Sequence, residues 1–576
     1  MKGSVLKKFL CTCLVTAAAF AATTISASAC TTIYVGGDLV EEGTPFVACT
    51  EDYGSDYNKL WFISESGKWK QGDHYVGCPE YGPFEWDFTH DSYRFTYFTN
   101  DIYYDGICPE CGEKADHYSY TEFGTNEKGV SVSATETLHG NAKVTEVDPY
   151  RDADWAKESN SERIGIEETD IPTIILAEAS SAREGVKLLL DIYENYGCVA
   201  ASIKLNNNMI FLEPNMAVIG RVDLDDENVI ASKDLIAVAK KAGTFVGDEA
   251  KNIIDFCASY ARISEKMDQR MIDGLNYLNA TYKYDSDALV ADNTKFTISN
   301  LDASDKLVAL YTNIKADRKL DKDDVFGYYK LSSIGKASNQ EIEIFQLFKD
   351  RPVETATVGW VGVGNMSYNV FVPYYPMLID GMYKGYQVST ASAKFTTEKP
   401  DTFCTYGTSW AQDAEGNWQR VSGFKAYPSN WKDSYYFTFE GLGGYIANAD
   451  KITGKPLKAE AKAYVADKLA ALQQELYKDF VTTDQLAKAD DARALATENG
   501  KAMAEKAHKL GVELVEYITK DEALQPSVFT DVKEGAYYVD AVNWAVDKKV
   551  TSGKTETTFA PKDSCTRAQA VTFLWR

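Results

Sequence analysis

The chain is expected to fold as an α+β protein that runs into an all-helical segment and then a small separate module. Between Cys30 and about Tyr150, short β-branched runs such as TTIYVGG and TPFVACT are bounded by glycine or Glu-Gly, as strands joined by turns are. A capped amphipathic helix follows near 181–197, after which VAASIKL and NMIFLEP return to strand character. From Lys458 to about Lys520 the composition shifts to Ala, Lys, Glu and Leu, with Val465, Leu469, Leu472 and Leu476 at helical spacing.

The first element is a signal segment. Lys2, Lys7 and Lys8 form a basic start, Phe9–Ala22 a mostly apolar run, and Ala27-Ser28-Ala29 a small-x-small cleavage pattern. Cleavage after Ala29 makes Cys30 the first residue of the exported chain. No later run has the length and apolarity of a membrane span. TTIYVGG and TPFVACT then read as a hairpin through GDLVEEGT. In GTNEKGVSVSATET, Asn126-Glu-Lys-Gly129 makes a turn and Val130–Ala134 a strand. Ser181 with Glu184 reads as a capping box, Val186, Leu189, Leu190 and Tyr193 as an apolar face, and Gly197 as the stop. Residues 253–278 read as helical, and TATVGWVGVGN and YNVFVPYY as strands. The GxG in Gly359–Gly364 is better explained as a strand of small residues than as a nucleotide loop, because a third glycine and a following helix are missing. Thr482 or Thr483 restarts a second helix after the one from Lys458, and both are expected to pack on the preceding domain.

Composition narrows the partners. The 576 residues carry a formal net charge of −25. Loss of residues 1–29, with three lysines and no acids, takes it to −28. That charge repels nucleic acid and anionic membrane. Nine cysteines remain after Cys11 and Cys13 leave with the signal segment. Export permits disulfides, and an odd number leaves a thiol unpaired within one chain. Cys108-Pro-Glu-Cys111, with Cys78 before and His117 after, reads more readily as a loop staple than as a zinc site, because no second close Cys/His pair stands at a regular spacing.

The last segment, from VFTDVKEG to the end, pairs a turn with an amphipathic helix, a glycine loop and a second helix introduced by Thr566-Arg567. It resembles a bacterial surface-layer homology repeat at Phe529, Asp531, Val532, Tyr538, Gly553, Phe559, Pro561, Thr566, Arg567 and Ala568. That resemblance implies docking on a cell-wall polymer. One repeat is present where such repeats usually come in threes.

Cys30 admits three readings: a lipid anchor, a disulfide partner, or a nucleophile created by cleavage. A lipid-attachment motif wants leucine three residues earlier, where Ala27 stands. An N-terminal cysteine carries its own base, since its α-amine has a near-neutral pKa and takes the thiol proton. No histidine is needed, and His74, His90, His117, His139 and His508 stand in no triad-like context.

From Cys30-Thr31-Thr32, GTPFVACTEDYG, GTNEKGVSVSATET, IPTIILAEASSAREGVKLLLDIYENYG, RMIDGLNYLN and FQLFKDRPVETATVGWVGVGNMSYNVFVPYYP, the chain resembles the cysteine dipeptidases of the N-terminal-nucleophile hydrolases. Bile salt hydrolases and penicillin V acylases are distant relatives. The resemblance implies a four-layer αββα fold and amide hydrolysis of short peptides through a thioester, with no metal or organic cofactor. It implies Cys30 as nucleophile and base, Asp52 as the carboxylate orienting the amine, and Arg270 as electrostatic support. Glu136 and Asn126 are implied at the substrate, Glu136 holding its free ammonium. The chain departs from the family pattern at Cys49, where an arginine is usual, and at Ser232, where an asparagine commonly contacts the oxyanion. Those departures leave two alternatives: hydrolysis of N-acyl amides, or a binding protein without turnover. The expected organisation is a signal segment 1–29, a hydrolase domain 30–522 including the C-terminal helices, and a wall-binding repeat 527–576.

Overall fold

The computed structural model describes residues 30–52, 58–77, 84–100, 121–133, 140–161, 163–199, 209–212, 221–260, 269–278, 318–412, 418–525, 529, 531–533, 536–555 and 558–575. The signal segment, Cys78, Cys108, Cys111, His117, Glu136 and most of VAASIKL lie outside the described residues.

The first hairpin forms as expected. β1 (Thr31–Val35) pairs antiparallel with β2 (Phe46–Asp52), Thr31 opposite Thr50 and Val35 opposite Phe46. β3 (Lys59–Ser64) pairs with β4 (Phe95–Asn100), and β5 (Phe123–Thr125) with β6 (Ser131–Ser133). Helices α1 (Ile171–Glu178) and α2 (Ala182–Tyr196) follow. The Ser181 hydroxyl caps α2 by accepting from the Glu184 N–H, and Gly197 ends it at φ 74°. Glu184 itself turns to Ser180, accepting from its N–H.

The stretch expected to be helical from residue 253 begins differently. Ile253–Asp255 is a strand paired with Arg221–Asp223, consistent with two adjacent β-branched isoleucines. Phe256–Tyr260 and α3 (Gln269–Leu278) are helical. After α4 (Lys322–Tyr329) come β7 (Asn339–Leu347), β8 (Thr357–Val363) and β9 (Val372–Tyr374). They complete a five-stranded antiparallel sheet in the order β1-β2-β7-β8-β9. β8 takes in Gly359 to Val363 of the GxG stretch, a strand as expected, and Gly364 follows it at φ 93°.

Side chains alternate across a sheet, so this register sorts residues onto two faces. One face carries Ile342 and Ile344 on β7 and Trp360 on β8. It packs against helices: the Trp360 ring lies 5.2 Å from Phe326 of α4 and 5.6 Å from Tyr477. The other carries Cys49 and Glu51 on β2, Glu341 and Glu343 on β7 and Tyr374 on β9. It meets β3 and β4, where Trp61 lies edge-on to Tyr374 at 4.6 Å and stacks on Phe98 at 5.2 Å. β4 and β5 approach closely through Gly124, where a Cβ would stand 1.7 Å from the Thr96 carbonyl. α1 covers the far side, its Ile174, Leu176 and Ala177 sharing a core with Phe95.

The C-terminal helices are α5 (Tyr435–Thr453), α6 (Ala459–Asp479), α7 (Thr483–Lys488) and α8 (Ala492–Ile518). Three helices, not two, follow Lys458, because the Thr482–Gln485 capping box starts the short α7 before Asp491 caps α8. Val465, Leu469, Leu472 and Leu476 are buried in one core with the five-stranded sheet. Gln473 fastens α6 to the main chain of Phe371, accepting from its N–H at 2.7 Å and donating to its carbonyl at 3.0 Å. The last module contains α9 (Val539–Asp547) and α10 (Arg567–Trp575). Asp531 links its turn to its loop by accepting from the N–H groups of Phe559 and Ala560. Among the described residues, no helix is long and apolar enough to cross a membrane.

Candidate active site

Cys30 stands immediately before β1, and the hairpin register carries it opposite Glu51. Its Sγ donates to Glu51 Oε2 at 3.3 Å. The next position is tied down by three groups. The Thr31 N–H donates to Thr50 Oγ1 at 3.0 Å, and Arg270 Nη1 reaches Thr31 Oγ1 at 3.4 Å from α3. The Tyr329 hydroxyl, from α4, lies within hydrogen-bond distance of the carbonyls of both Thr31 and Ala48. The head of β1 is therefore held by elements some 240 to 300 residues away in sequence.

Burial pushes the Cys30 thiol up, and the neighbouring Glu51 and Cys49 push it further, while a hydrogen bond from the Asp52 backbone opposes them. A thiol in this setting stays protonated until a base or a positive group arrives beside it. Cys49 is buried and accepts from Thr32 Oγ1 at 3.2 Å. Burial, only partly opposed by hydrogen bonds from Ser133 and Thr32, raises its thiol to about 12. It is thus a neutral group at the position where the resemblance implies an arginine.

Behind Glu51 lies a buried cluster of ionisable groups between the five-stranded sheet and the strand pair β3–β4. Lys59 on β3 pairs with Glu122, just before β5, and its Nζ stands 3.4 Å from Glu341 Oε2 on β7. Lys59 and Glu341 side chains are both 0% exposed. Burial alone would lower the Lys59 pKa, but Glu122, Glu341 and Glu51 outweigh it and hold the ammonium charged. Burial first, and then Glu122, raise Glu51 to about 8, against Lys59 and the Cys30 hydrogen bond. The same two causes hold Glu341 well above the usual carboxylate range.

Asp52 lies one residue on, so strand alternation turns its carboxylate to the opposite face from Glu51. Asn339 Nδ2 donates to that carboxylate, and Lys336 Nζ lies 3.1 Å from it. Burial raises its pKa, with Lys336 pulling it back. The carboxyl group that accepts from the Cys30 thiol is Glu51, a residue without an assigned role in the sequence reading. The structure brings Arg270 and Asp52 to the segment around Cys30, Arg270 by a side-chain contact to Thr31 and Asp52 by its main chain.

Asn126 has a different position from the one expected. Its amide donates to the carbonyls of Leu176 at 3.0 Å and Ala179 at 2.8 Å, and its Oδ1 accepts from the N–H groups of Lys128 and Val130. All four bonds go to protein backbone, so the side chain holds a turn against α1. Ser232 exchanges hydrogen bonds with the main chain of Met209. Glu136 lies outside the described residues.

Glu51 was findable from sequence. If the hairpin is drawn in register, residues 47, 49 and 51 share the face of Cys30. Lys59, Glu122, Glu341 and Tyr329 carried no such signal. A lysine opening KLWFIS or a glutamate in NQEIEIFQL reads as an ordinary exposed charge until the opposing sheet is placed.

Comparison with known proteins identifies the family of the chain. The model for peptidase family C69 matches residues 29–203 and 199–412, more than half of the chain. The S-layer homology domain matches residues 528–571. A Streptococcus pyogenes serotype M1 protein named probable dipeptidase B is 27% identical over 398 residues, spanning 62% of this chain and 74% of its own. A Salmonella dublin probable dipeptidase is 24% identical over 380 residues, 60% of this chain and 81% of its own. A Bifidobacterium longum dipeptidase is 25% identical over 392 residues, 60% of this chain and 71% of its own. The chain belongs to peptidase family C69 and carries an S-layer homology domain near its C-terminal end.

Proposed function

We propose that this peptidase is an exported dipeptidase whose nucleophile is Cys30, made N-terminal by cleavage after Ala29. The observation that carries the reading is the placement of Cys30 at the head of β1, its thiol on a buried carboxylate, in a family C69 chain with relatives named dipeptidases. The five-stranded sheet, with α4 and α6 against one face, β3 and β4 against the other, and α1 beyond them, supports a four-layer αββα arrangement.

In this mechanism the free α-amine of Cys30 accepts the thiol proton, and the sulfur attacks the scissile carbonyl. The amine returns the proton to the leaving amino group, and a thioester remains. Water, deprotonated by the same amine, then releases the acyl group. Before cleavage that nitrogen is an amide without basicity, and burial beside Glu51 keeps the thiol neutral. Cleavage supplies both the base and, once protonated, a positive charge that favours the thiolate. Asp52, fixed by Asn339 and Lys336, is the carboxylate that orients the amine, and Arg270 steadies Thr31 next to it. The C-terminal repeat retains the enzyme on the bacterial cell-wall polymer, where short peptides are its substrates.

The test is hydrolysis of a dipeptide panel by purified processed protein and by Cys30→Ala and Cys30→Ser. Both substitutions are expected to abolish turnover without lowering Tm. Full activity in Cys30→Ala would end the reading.

A further inference from the structure

We propose that Glu51 is the residue that holds the free α-ammonium of the substrate, and so restricts this site to peptides with an unblocked N-terminus. The inference rests on the dipeptidase reading and adds the group that enforces it.

The geometry comes from the substrate's own covalent structure. In a dipeptide the ammonium nitrogen sits about 2.5 Å from the scissile carbonyl carbon, two bonds away. A sulfur poised to attack lies roughly 3–3.5 Å from that carbon. A carboxylate that captures the ammonium must therefore stand within a few ångströms of the sulfur. Glu51 Oε2 lies 3.3 Å from Cys30 Sγ, on the sheet face that the thiol shares.

Charge points the same way. Glu51, Glu122 and Glu341 are gathered around one lysine, and Lys59 forms its ion pairs with Glu122 and Glu341. Glu51 has no ion-pair partner among the described residues; its side-chain hydrogen bond comes from the thiol. Two further groups show that the polar capacity of this face is unfilled. Among the described residues, Glu122 Oε2 has no hydrogen-bond partner within bonding geometry, and Glu343, 1% exposed on the adjoining cross-strand row, has none on either oxygen. A buried face with more carboxyl groups than cations, whose burial disfavours their charged forms, gains an ionised carboxylate when a cation arrives beside it, and the substrate's ammonium is a cation delivered at the right distance. A neutral N-acyl group placed there would leave Glu51 desolvated and unpaired.

The experiment compares kcat and KM for a dipeptide and for its N-acetyl form, in processed enzyme and in Glu51→Gln, Glu51→Asp and Glu136→Gln. The parent is expected to prefer the free dipeptide by about 100-fold or more, and Glu51→Gln to lose most of that preference, chiefly through KM. Glu51→Asp, which keeps the charge, should retain it in part, and complete alkylation of Cys30 by iodoacetamide in each variant shows that the site is formed. Preference intact in Glu51→Gln, or lost in Glu136→Gln alone, overturns the proposal. A parent that alkylates at Cys30 yet cleaves no dipeptide overturns the dipeptidase reading itself, and this one with it.

Discussion

Lys59 Nζ on β3 lies 3.4 Å from Glu341 Oε2 on β7 of the five-stranded sheet, with both side chains withdrawn from water. This pair, with Glu122 and Glu51, builds the floor behind Cys30 from ionisable groups in a place where apolar residues would pack. Removing one partner from such a cluster leaves uncompensated charge in a medium that solvates it poorly. Lys59→Met is expected to destabilise the fold by about 3–5 kcal/mol in urea unfolding. Adding Glu122→Gln and Glu341→Gln to Lys59→Met should recover much of that loss. Wild-type stability in Lys59→Met would show that the cluster is not charged.

Asn126 bridges its own turn and α1 through four backbone hydrogen bonds. Asn126→Ala leaves buried carbonyls and N–H groups without partners, and is expected to lose about 3 kcal/mol of stability. The kcat/KM of the fraction that folds should change little. Unchanged stability with activity reduced a hundredfold would instead place Asn126 at the substrate.

His508 on α8 is buried between the hydroxyls of Tyr383 and Thr438, each 3.1 Å from one ring nitrogen. Burial lowers its pKa from 6.5 to about 4. Between those values the unfolded chain binds a proton that the folded chain refuses, so stability rises with pH in that window. The contribution is fully present above pH 6.5 and lost as pH falls toward 4. His508→Gln should flatten the parent's stability curve between pH 4 and 6.5 by about 3 kcal/mol at most. An identical slope in both proteins would contradict the assignment.

In the C-terminal repeat, Asp531 accepts at 2.8 and 2.7 Å from two consecutive N–H groups, and the second belongs to Ala560, held at φ 60°. A non-glycine residue in that region needs such a restraint. Asp531→Ala is expected to loosen this loop and reduce retention on isolated cell-wall sacculi, with dipeptide turnover unchanged. Loss of turnover would show that the repeat and the peptidase depend on each other.

How far the sequence led can be judged residue by residue. Local chemistry was legible: Gly129 takes φ 86° in the turn Asn126 opens, Ser181 caps α2, Gly197 ends it, and Thr482 starts α7. Cys30 stood out because a cleavage pattern precedes it. Helix α5 was not foreseen, because Tyr435, Phe437, Phe439 and Leu442 are all buried, and a helix apolar on most sides gives no periodic signal. The Lys59 cluster was hidden for another reason. Its members come from positions 51, 59, 122 and 341, and pairing over such separations is set by how the sheets stack, which no local pattern encodes.

The account turns on a peptide bond that must be broken before the site can work. Intact mass and N-terminal sequencing of the active protein recovered from cells measure this directly. The expected result is a chain beginning with an unmodified Cys30, with dipeptide turnover confined to that species. Equal turnover by a chain that retains Ala29, or by one acylated on the Cys30 nitrogen, would contradict it.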